Sequence, residues 1–155
     1  MAAKVILFLL RLAVAGVFLY AGVVKIWDFH RGQSATPDFT IAIQHYKLLP
    51  SPDLAVLLAV YLPWLEVTAA LGLFVRRVAL GAATAAAGMT AMFLVAIGSA
   101  WARGLDISCG CFGKDEVPLP YRTLVLRDAA LLAVVLILLV VEARRAGRKA
   151  SSTLS

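Results

Sequence analysis

Charged side chains are scarce in this sequence. Asp, Glu, Lys and Arg make up 15% of its 155 residues, and hydrophobic residues make up 62%. Soluble domains are typically about half apolar and about a quarter charged, so this composition argues against a soluble domain and favours a lipid environment. A net charge of +6 would suggest nucleic-acid binding in a soluble protein. Here the basic residues cluster at the ends of apolar runs, which indicates membrane orientation and no nucleic-acid partner.

Cysteine is also nearly absent. The sequence contains Cys109 and Cys111, separated by Gly110, and no others, so a framework of several disulfides is excluded. A disulfide between these two would close a very small ring, which strains the bond geometry and constrains little of the unfolded chain. Strained, exposed disulfides exchange with other thiols, so the pair predicts redox chemistry. The alternative is a pair of incidental thiols in a loop.

Long apolar runs dominate the rest of the chain. Four are present, at about residues 5–24, 54–75, 78–101 and 123–141. Each can cross a hydrocarbon core ~30 Å thick as a helix, and a helix is required because lipid offers the backbone no hydrogen-bond partners. We therefore predict an all-α, four-transmembrane-helix bundle in one domain, residues 1–145, and a basic, disordered tail, residues 146–155. In the fourth run, Leu138 is expected to face lipid.

The loop after the first run, about residues 27–52, contains a further helical pattern. Apolar residues in its second half, residues 39–50, fall near helical spacing. Asp38 is placed to cap this segment, and Pro50 is placed to end it. We predict a short interfacial helix in this first loop, outside the cytoplasm, with its apolar face toward the membrane.

The distribution of basic residues predicts the orientation of the chain. Arg76 and Arg77 fill the very short connection between the second and third runs, and four basic residues follow the fourth run within residues 144–149. Dense basic clusters of this kind mark cytoplasmic loops. We therefore expect both termini on the cytoplasmic side of a bacterial-type inner membrane. The cysteine pair would then lie outside the cytoplasm, where disulfides persist.

Ionisable residues lie within or at the ends of the apolar runs: Arg11, Lys25, Glu66, Arg127 and Asp128. Each costs at least ~2.5–3.5 kcal/mol inside a membrane, so such residues usually pair, line a cavity or carry function. We expect Arg11 to pair with Glu66. Lys25, Arg127 and Asp128 are expected near one another, close to the cysteine segment. The alternative for the long cationic side chains is that they extend to the membrane interface.

Metal binding is a second interpretation of the cysteine pair. His30 and His45 fall on the same predicted side of the membrane as Cys109 and Cys111. Two thiolates and two imidazoles form a donor set that suits zinc or copper. The spacing of these four residues matches no compact zinc motif, so this interpretation stays secondary to redox exchange.

Several of these residues recur together in one family. The first run and its loop contain Arg11, Gly16, Phe18, Gly22, Lys25, Phe39, Ile43, Tyr46 and Pro50. The later part contains Pro63, Glu66, Gly72, the Cys109–Gly113 segment, Arg127 and Asp128. In this order, over residues 5–141, the chain resembles the MauE branch of the DoxX-like membrane proteins. The cysteine tripeptide combined with Glu66 and four spans is the specific part of the resemblance.

The resemblance implies a four-helix bundle that acts beside exported redox proteins. In methylamine utilisation, such a protein assists maturation of the disulfide-rich small subunit of methylamine dehydrogenase, commonly with a thioredoxin-like partner. Relatives of the DoxX type have been linked to quinone-coupled sulfur oxidation. The resemblance therefore implies exported thiol proteins as partners and a membrane quinone as an electron acceptor.

The residues and the resemblance together predict a thiol-disulfide redox protein. Cys109 and Cys111 would exchange electrons with a thioredoxin-like or other exported thiol protein. The predicted supporting residues are Glu66, Arg11, Lys25, Arg127 and Asp128, of which Lys25, Arg127 and Asp128 would also hold the quinone. The alternative is a non-catalytic membrane scaffold, or a metal-binding subunit, that recruits a maturation partner.

Overall fold

The computed structural model describes residues 2–28, 32–105 and 120–153. The described chain is helical apart from one short antiparallel ribbon. Its elements, in order, are α1 (Ala2–Ile26), β1 (Trp27–Asp28), β2 (Gln33–Ser34), α2 (Thr36–His45), α3 (Pro52–Gly72), α4 (Ala79–Ala102) and α5 (Tyr121–Thr153). Cys109, Cys111 and His30 lie outside the described residues.

Four of these helices are long and apolar enough to cross a membrane. The spans are Val5–Ile26, Pro52–Gly72, Ala79–Ala102 and Arg122–Gly147. Large apolar side chains cover their outer faces, as at Val95 and Leu126, the latter 74% exposed. An exposed surface of this kind is stable in lipid and costly in water. The predicted all-α fold with four spans is confirmed, and the protein is a multi-pass membrane protein.

Within the bundle, α1 packs chiefly against α3, and α4 packs chiefly against α5. A core of small and aliphatic side chains joins the pairs, among them Val14, Ala83 and Val135. Leu138 is 1% exposed, so the prediction that it faces lipid was wrong. It lies three residues after the buried Val135, and residues at that spacing share one face of a helix.

The first loop contains a short helix, α2, as predicted, but with different bounds. It begins at Thr36 and ends at His45, and Asp38 lies in its first turn without capping it, because Ala35 occupies the N-cap position. Lys47 has a positive φ of 48°, a left-handed conformation that ends a helix before Pro50 is reached. α2 packs on α3 and buries the side chain of Phe39.

The fourth spanning helix is longer than predicted. α5 continues to Thr153, through most of the segment in which the sequence predicts a disordered tail from residue 146. Between residues 143 and 150, Ala, Arg and Lys occupy every position except Gly147, and all three are strong helix formers. This propensity accounts for a backbone that stays helical beyond the apolar run.

Candidate functional site

A buried ion pair joins α1 to α3. Lys25 lies in the last turn of α1, and Glu66 lies in the interior of α3. The Lys25 Nζ donates to both carboxylate oxygens of Glu66, at 2.6 Å to Oε1 and 2.8 Å to Oε2. The two side chains are only 1% and 2% exposed. Each charge depends on the other, because both side chains are buried.

The close approach of α1 to α3 at this level depends on Gly22. A Cβ at Gly22 would lie 2.8 Å from the carbonyl oxygen of Pro63 and 2.9 Å from Cγ2 of Val67. It would also lie 3.3 Å from Cβ of Glu66. The missing side chain therefore lets the α1 backbone reach the turn of α3 that carries Glu66. One turn later on α1, Lys25 can then meet the carboxylate.

Replacing Gly22 by Ala should destabilise the bundle by about 1–3 kcal/mol, as expected for overpacking a close contact. The added methyl group must push α1 away from α3 and lengthen the Lys25–Glu66 contact. Gly16→Ala is the matched control on the same helix, because a Cβ there meets nothing within 4 Å. The measurement is thermal unfolding of both variants in detergent. Equal melting temperatures for the two would contradict the contact.

Aromatic rings surround the Lys25 ammonium on its remaining sides. Its Nζ lies 5.2 Å from the ring centroid of Phe39 on α2 and 5.1 Å from that of Phe93 on α4. An ammonium at such distances from a ring face gains cation–π stabilisation. The ion pair is therefore enclosed by α1, α2, α3 and α4 together.

α5 adds a second charged pair at the same level. Nε of Arg127 lies 3.0 Å from Oδ1 of Asp128, and the Asp128 side chain is buried. We refer to Lys25, Glu66, Arg127 and Asp128 as the polar cluster. Its formal charge is zero, because two cations match two carboxylates.

The polar cluster lines one small cavity that is partly open to the outside. Thr90 and Phe93 complete its lining from α4, and the remaining walls are apolar: Val17, Phe18, Ala21 and Leu131. Cavities that combine apolar walls with a few convergent polar groups are typical of small-molecule sites. The lining of this cavity therefore offers hydrogen-bond donors and carboxylates to the polar atoms of a neutral, mostly apolar molecule.

The structure brings together Lys25, Arg127 and Asp128, as predicted, but it corrects the partner of Glu66. Arg11 pairs with Glu142, not with Glu66. Arg11 lies fourteen residues before Lys25 on α1, which at about 1.5 Å per residue places it ~21 Å from the polar cluster. Arg145 Nη1 also contacts Glu142 Oε1, at 3.1 Å. A second charged group thus occupies the opposite end of the bundle.

The two ends of the bundle can now be distinguished. At the cysteine end, α1 finishes, and the segment 106–119 connects α4 to α5. At the basic end lie Arg11 and Glu142, and also Arg76 and Arg77 in the connection from α3 to α4. Asp128 is seven residues into α5, about 10 Å along the helix from its start. The polar cluster therefore lies below the cysteine end.

Arg103 is a structural residue that the sequence did not reveal. It follows the last residue of α4, and its Nη2 donates to the carbonyl oxygen of Tyr46 at 2.5 Å. Its Nη1 donates to the carbonyl oxygen of Lys47 at 3.2 Å. These bonds attach the end of α2 to the end of α4, three residues before the cysteine-bearing segment begins.

The metal interpretation gains no support within the described part of the chain. Residues 2–28, 32–105 and 120–153 contain no group of three or more His, Cys, Asp or Glu side chains placed to hold a metal ion. His45 is exposed at the end of α2. The other three proposed ligands, His30, Cys109 and Cys111, lie outside the described residues, so the complete ligand set stays a prediction.

Comparison with known proteins agrees with the resemblance noted in the sequence. Residues 3–141 match the family described as Methylamine utilisation protein MauE. The chain belongs to the MauE family. A MauE relative from Paracoccus denitrificans, named Methylamine utilization protein MauE, is 32% identical over 133 residues, which cover 84% of this chain and 67% of the relative. No solved structure matches this MauE-family chain.

The MauE match includes all four residues of the polar cluster and both cysteines, because it extends from residue 3 to residue 141. It stops just before Glu142, so the ion pair at the basic end lies only partly within the matched region. The candidate site of this MauE-family protein is therefore the polar cluster with its cavity.

Proposed function

We propose that this MauE-family protein is a thiol-disulfide redox protein of the bacterial inner membrane that passes electrons from exported thiols to a membrane quinone. Cys109 and Cys111 are the exchanging sulfur atoms. The observation that best supports the proposal is the location of the polar cavity, below the end of the bundle where the cysteine-bearing segment joins α4 to α5.

The exchange step uses ordinary sulfur chemistry. A thiolate of the exported partner attacks the Cys109–Cys111 disulfide, a mixed disulfide forms, and one cysteine of the pair leaves as a thiolate. A second partner thiolate resolves the mixed disulfide. The partner has then lost two electrons and two protons to form its own disulfide, and the pair has become two thiols. Reoxidation of these thiols requires an acceptor of two electrons and two protons.

The cavity suits a quinone as that acceptor. Lys25 and Arg127 supply N–H donors for ring carbonyl oxygens, and Glu66 and Asp128 supply carboxylates that can hold protons. The apolar walls match a ring that dissolves in lipid, and the zero formal charge of the cluster matches a neutral ligand. A bound quinone would accept the two electrons and two protons and become a hydroquinone.

The partner is proposed to be a thioredoxin-like or other exported thiol protein. The proposed client, of the methylamine dehydrogenase small-subunit type, is the one that the family resemblance implies, and the relative's name, Methylamine utilization protein MauE, supports a role in methylamine utilisation. The orientation is proposed with both termini in the cytoplasm, which Arg76, Arg77, Arg144 and Arg145 favour at the basic end. The cysteine end then faces the compartment that contains the exported client.

Mixed-disulfide capture tests the proposed exchange. Cys109→Ser and Cys111→Ser variants each retain one thiol, so at least one of them should accumulate a covalent adduct with a partner protein in native membranes. The adduct should be released by a reducing agent and should be absent when both cysteines are replaced. Absence of any adduct with both single variants would contradict exchange and favour the scaffold function. Loss of bound zinc or copper in the same variants would favour the metal-binding function.

A further inference from the structure

The polar cluster is separated from the basic end of the bundle by an apolar layer without charged side chains. Between the cluster and Arg11–Glu142, the described helices contain no Asp, Glu, Lys, Arg or His. Below the cavity lining, the layer consists of residues 12–16 of α1, 67–72 of α3, 79–89 of α4 and 132–141 of α5. On α4 it is eleven residues long, about 16 Å at 1.5 Å per residue.

Hydroxyl groups do not bridge this layer. Thr68, Thr84 and Thr90 donate to carbonyl oxygens of their own helices, at 3.1, 2.9 and 2.9 Å. Tyr20 is exposed on the outer face of α1. The interior of the layer is packed with buried apolar side chains such as Val14 and Val135. A proton at Glu66 therefore has no chain of polar groups, within the described residues, that leads to the basic end.

On the cysteine side of the cluster, in contrast, α5 carries cations that are not fully buried. Arg127 contacts the buried Asp128 and has a side chain that is 29% exposed. Arg122, five residues earlier on α5, is fully on the exposed side of the helix. Charged groups thus continue from the buried carboxylates to the exterior at this end alone, as far as the described residues show.

We infer that the polar cluster is a one-sided proton-exchange site, open to the cysteine end and sealed from the basic end, with Glu66 and Asp128 as its proton-holding groups. The inference rests on the proposed function for the reaction that it serves. The groups that face these carboxylates are Lys25 from α1, Arg127 from α5, Thr90 and Phe93 from α4 and Phe39 from α2. Within the described residues, the layer toward the basic end contributes no Asp, Glu, Lys, Arg or His to this set.

One-sided access has a consequence for the overall reaction. Two cysteine thiols lose two electrons and two protons as the sulfur–sulfur bond forms, and one quinone gains two electrons and two protons. If thiol oxidation and quinone reduction both exchange their protons at the cysteine end, no proton is released overall and no charge crosses the membrane. The rate should then be independent of the membrane potential.

Silver-ion accessibility tests the sidedness without any catalytic readout. Thr90→Cys places a thiol of similar size in the cavity lining, in a Cys109→Ser, Cys111→Ser background. Val135→Cys is the matched control inside the apolar layer. Silver ions are added to membrane vesicles of either orientation, and the protected thiol is quantified by maleimide labelling after unfolding.

Thr90→Cys should react only from the cysteine end, and Val135→Cys from neither side. Reaction of Thr90→Cys from the basic end, from both ends or from neither would overturn the inference, as would reaction of Val135→Cys.

A second measurement separates this inference from the proposed function. Proteoliposomes of the wild-type protein receive a dithiol substrate and a quinone, with and without a potassium diffusion potential of ~100 mV. Transfer of one charge across the membrane would correspond to an effect of up to about 50-fold at 100 mV. We expect equal rates, and a potential-dependent rate would overturn the charge-neutral mechanism. An absence of quinone-linked thiol oxidation would instead contradict the proposed function, whereas one-sided access is decided by silver labelling.

Discussion

Replacing Lys25 by Met should destabilise the folded bundle by about 3–5 kcal/mol, the usual effect of breaking a buried ion pair by removing one partner. The Glu66 carboxylate accepts both of its direct hydrogen bonds from Lys25. In the Lys25→Met variant, the Glu66 carboxylate stays buried in the apolar interior without these hydrogen bonds. Chemical or thermal unfolding in detergent measures the loss. A stability equal to that of the wild type would contradict the pairing.

A double variant distinguishes the contribution of the Lys25–Glu66 pair to stability from its contribution to the reaction. Lys25→Met combined with Glu66→Gln removes both charges, so most of the lost stability should return, as it does when whole buried pairs are neutralised. Thiol oxidation linked to quinone should stay lost, because the donor and the proton-holding carboxylate are both gone. Full activity of the folded double variant would show that the pair is structural only.

Two control variants accompany this comparison. Leu126→Ala alters a lipid-facing side chain and should change neither stability nor activity. Arg11→Met removes a charge from the Arg11–Glu142 pair at the basic end, where the Arg11 side chain is 15% exposed. It should reduce stability less than Lys25→Met and leave quinone-linked oxidation intact, because it lies ~21 Å from the polar cluster.

Hydropathy predicted the spanning helices well, because lipid leaves the backbone few alternatives to a helix. The uniformly apolar sequence of α5 did not indicate which of its faces packs against the other helices. Its apolar run, residues 129–141, contains no polar residue that would mark one face, so the buried Leu138 and the exposed Leu136 could not be distinguished. In a soluble helix, an alternation of polar and apolar residues would have supplied that signal.

Part of the polar cluster was also predictable. Lys25, Arg127 and Asp128 all lie near the helix ends that flank the cysteine segment, and this position alone predicted their proximity. The cation that pairs with Glu66 was not predictable, because the depth of Glu66 in the second run does not single out one cation of another run as its neighbour. The choice depends on Gly22, which brings α1 against Pro63 and positions Lys25 instead of Arg11 beside the carboxylate.

The contributions of Phe39, Phe93 and Thr90 to the candidate site could not be predicted from the sequence. Aromatic and hydroxyl side chains are common in membrane helices, and their spacing along the chain does not indicate that they meet one ammonium or one cavity. Arg103 was missed for a related reason. Its acceptors are backbone carbonyl groups of residues 46 and 47, which carry no side-chain signature.

Replacing Cys109 and Cys111 together by Ser should abolish thiol exchange and leave the bundle folded. The four spanning helices pack through their own side chains, and the described contacts of the polar cluster join residues of these helices. A disulfide across a single intervening residue would restrict the unfolded chain very little, so its loss should barely change stability. The contribution of the pair is therefore chemical, as a reducible sulfur–sulfur bond.

The most direct test compares the wild type with this double variant in detergent, with a thioredoxin-like protein as the thiol donor and an added quinone as the acceptor. Thermal unfolding and oxidation of the thiol protein are measured on the same samples. The proposal predicts nearly equal melting temperatures, with oxidation in the variant reduced to the rate of quinone without protein. A variant that unfolds would make the disulfide structural, and a folded variant that oxidises its partner at the wild-type rate would contradict the redox function.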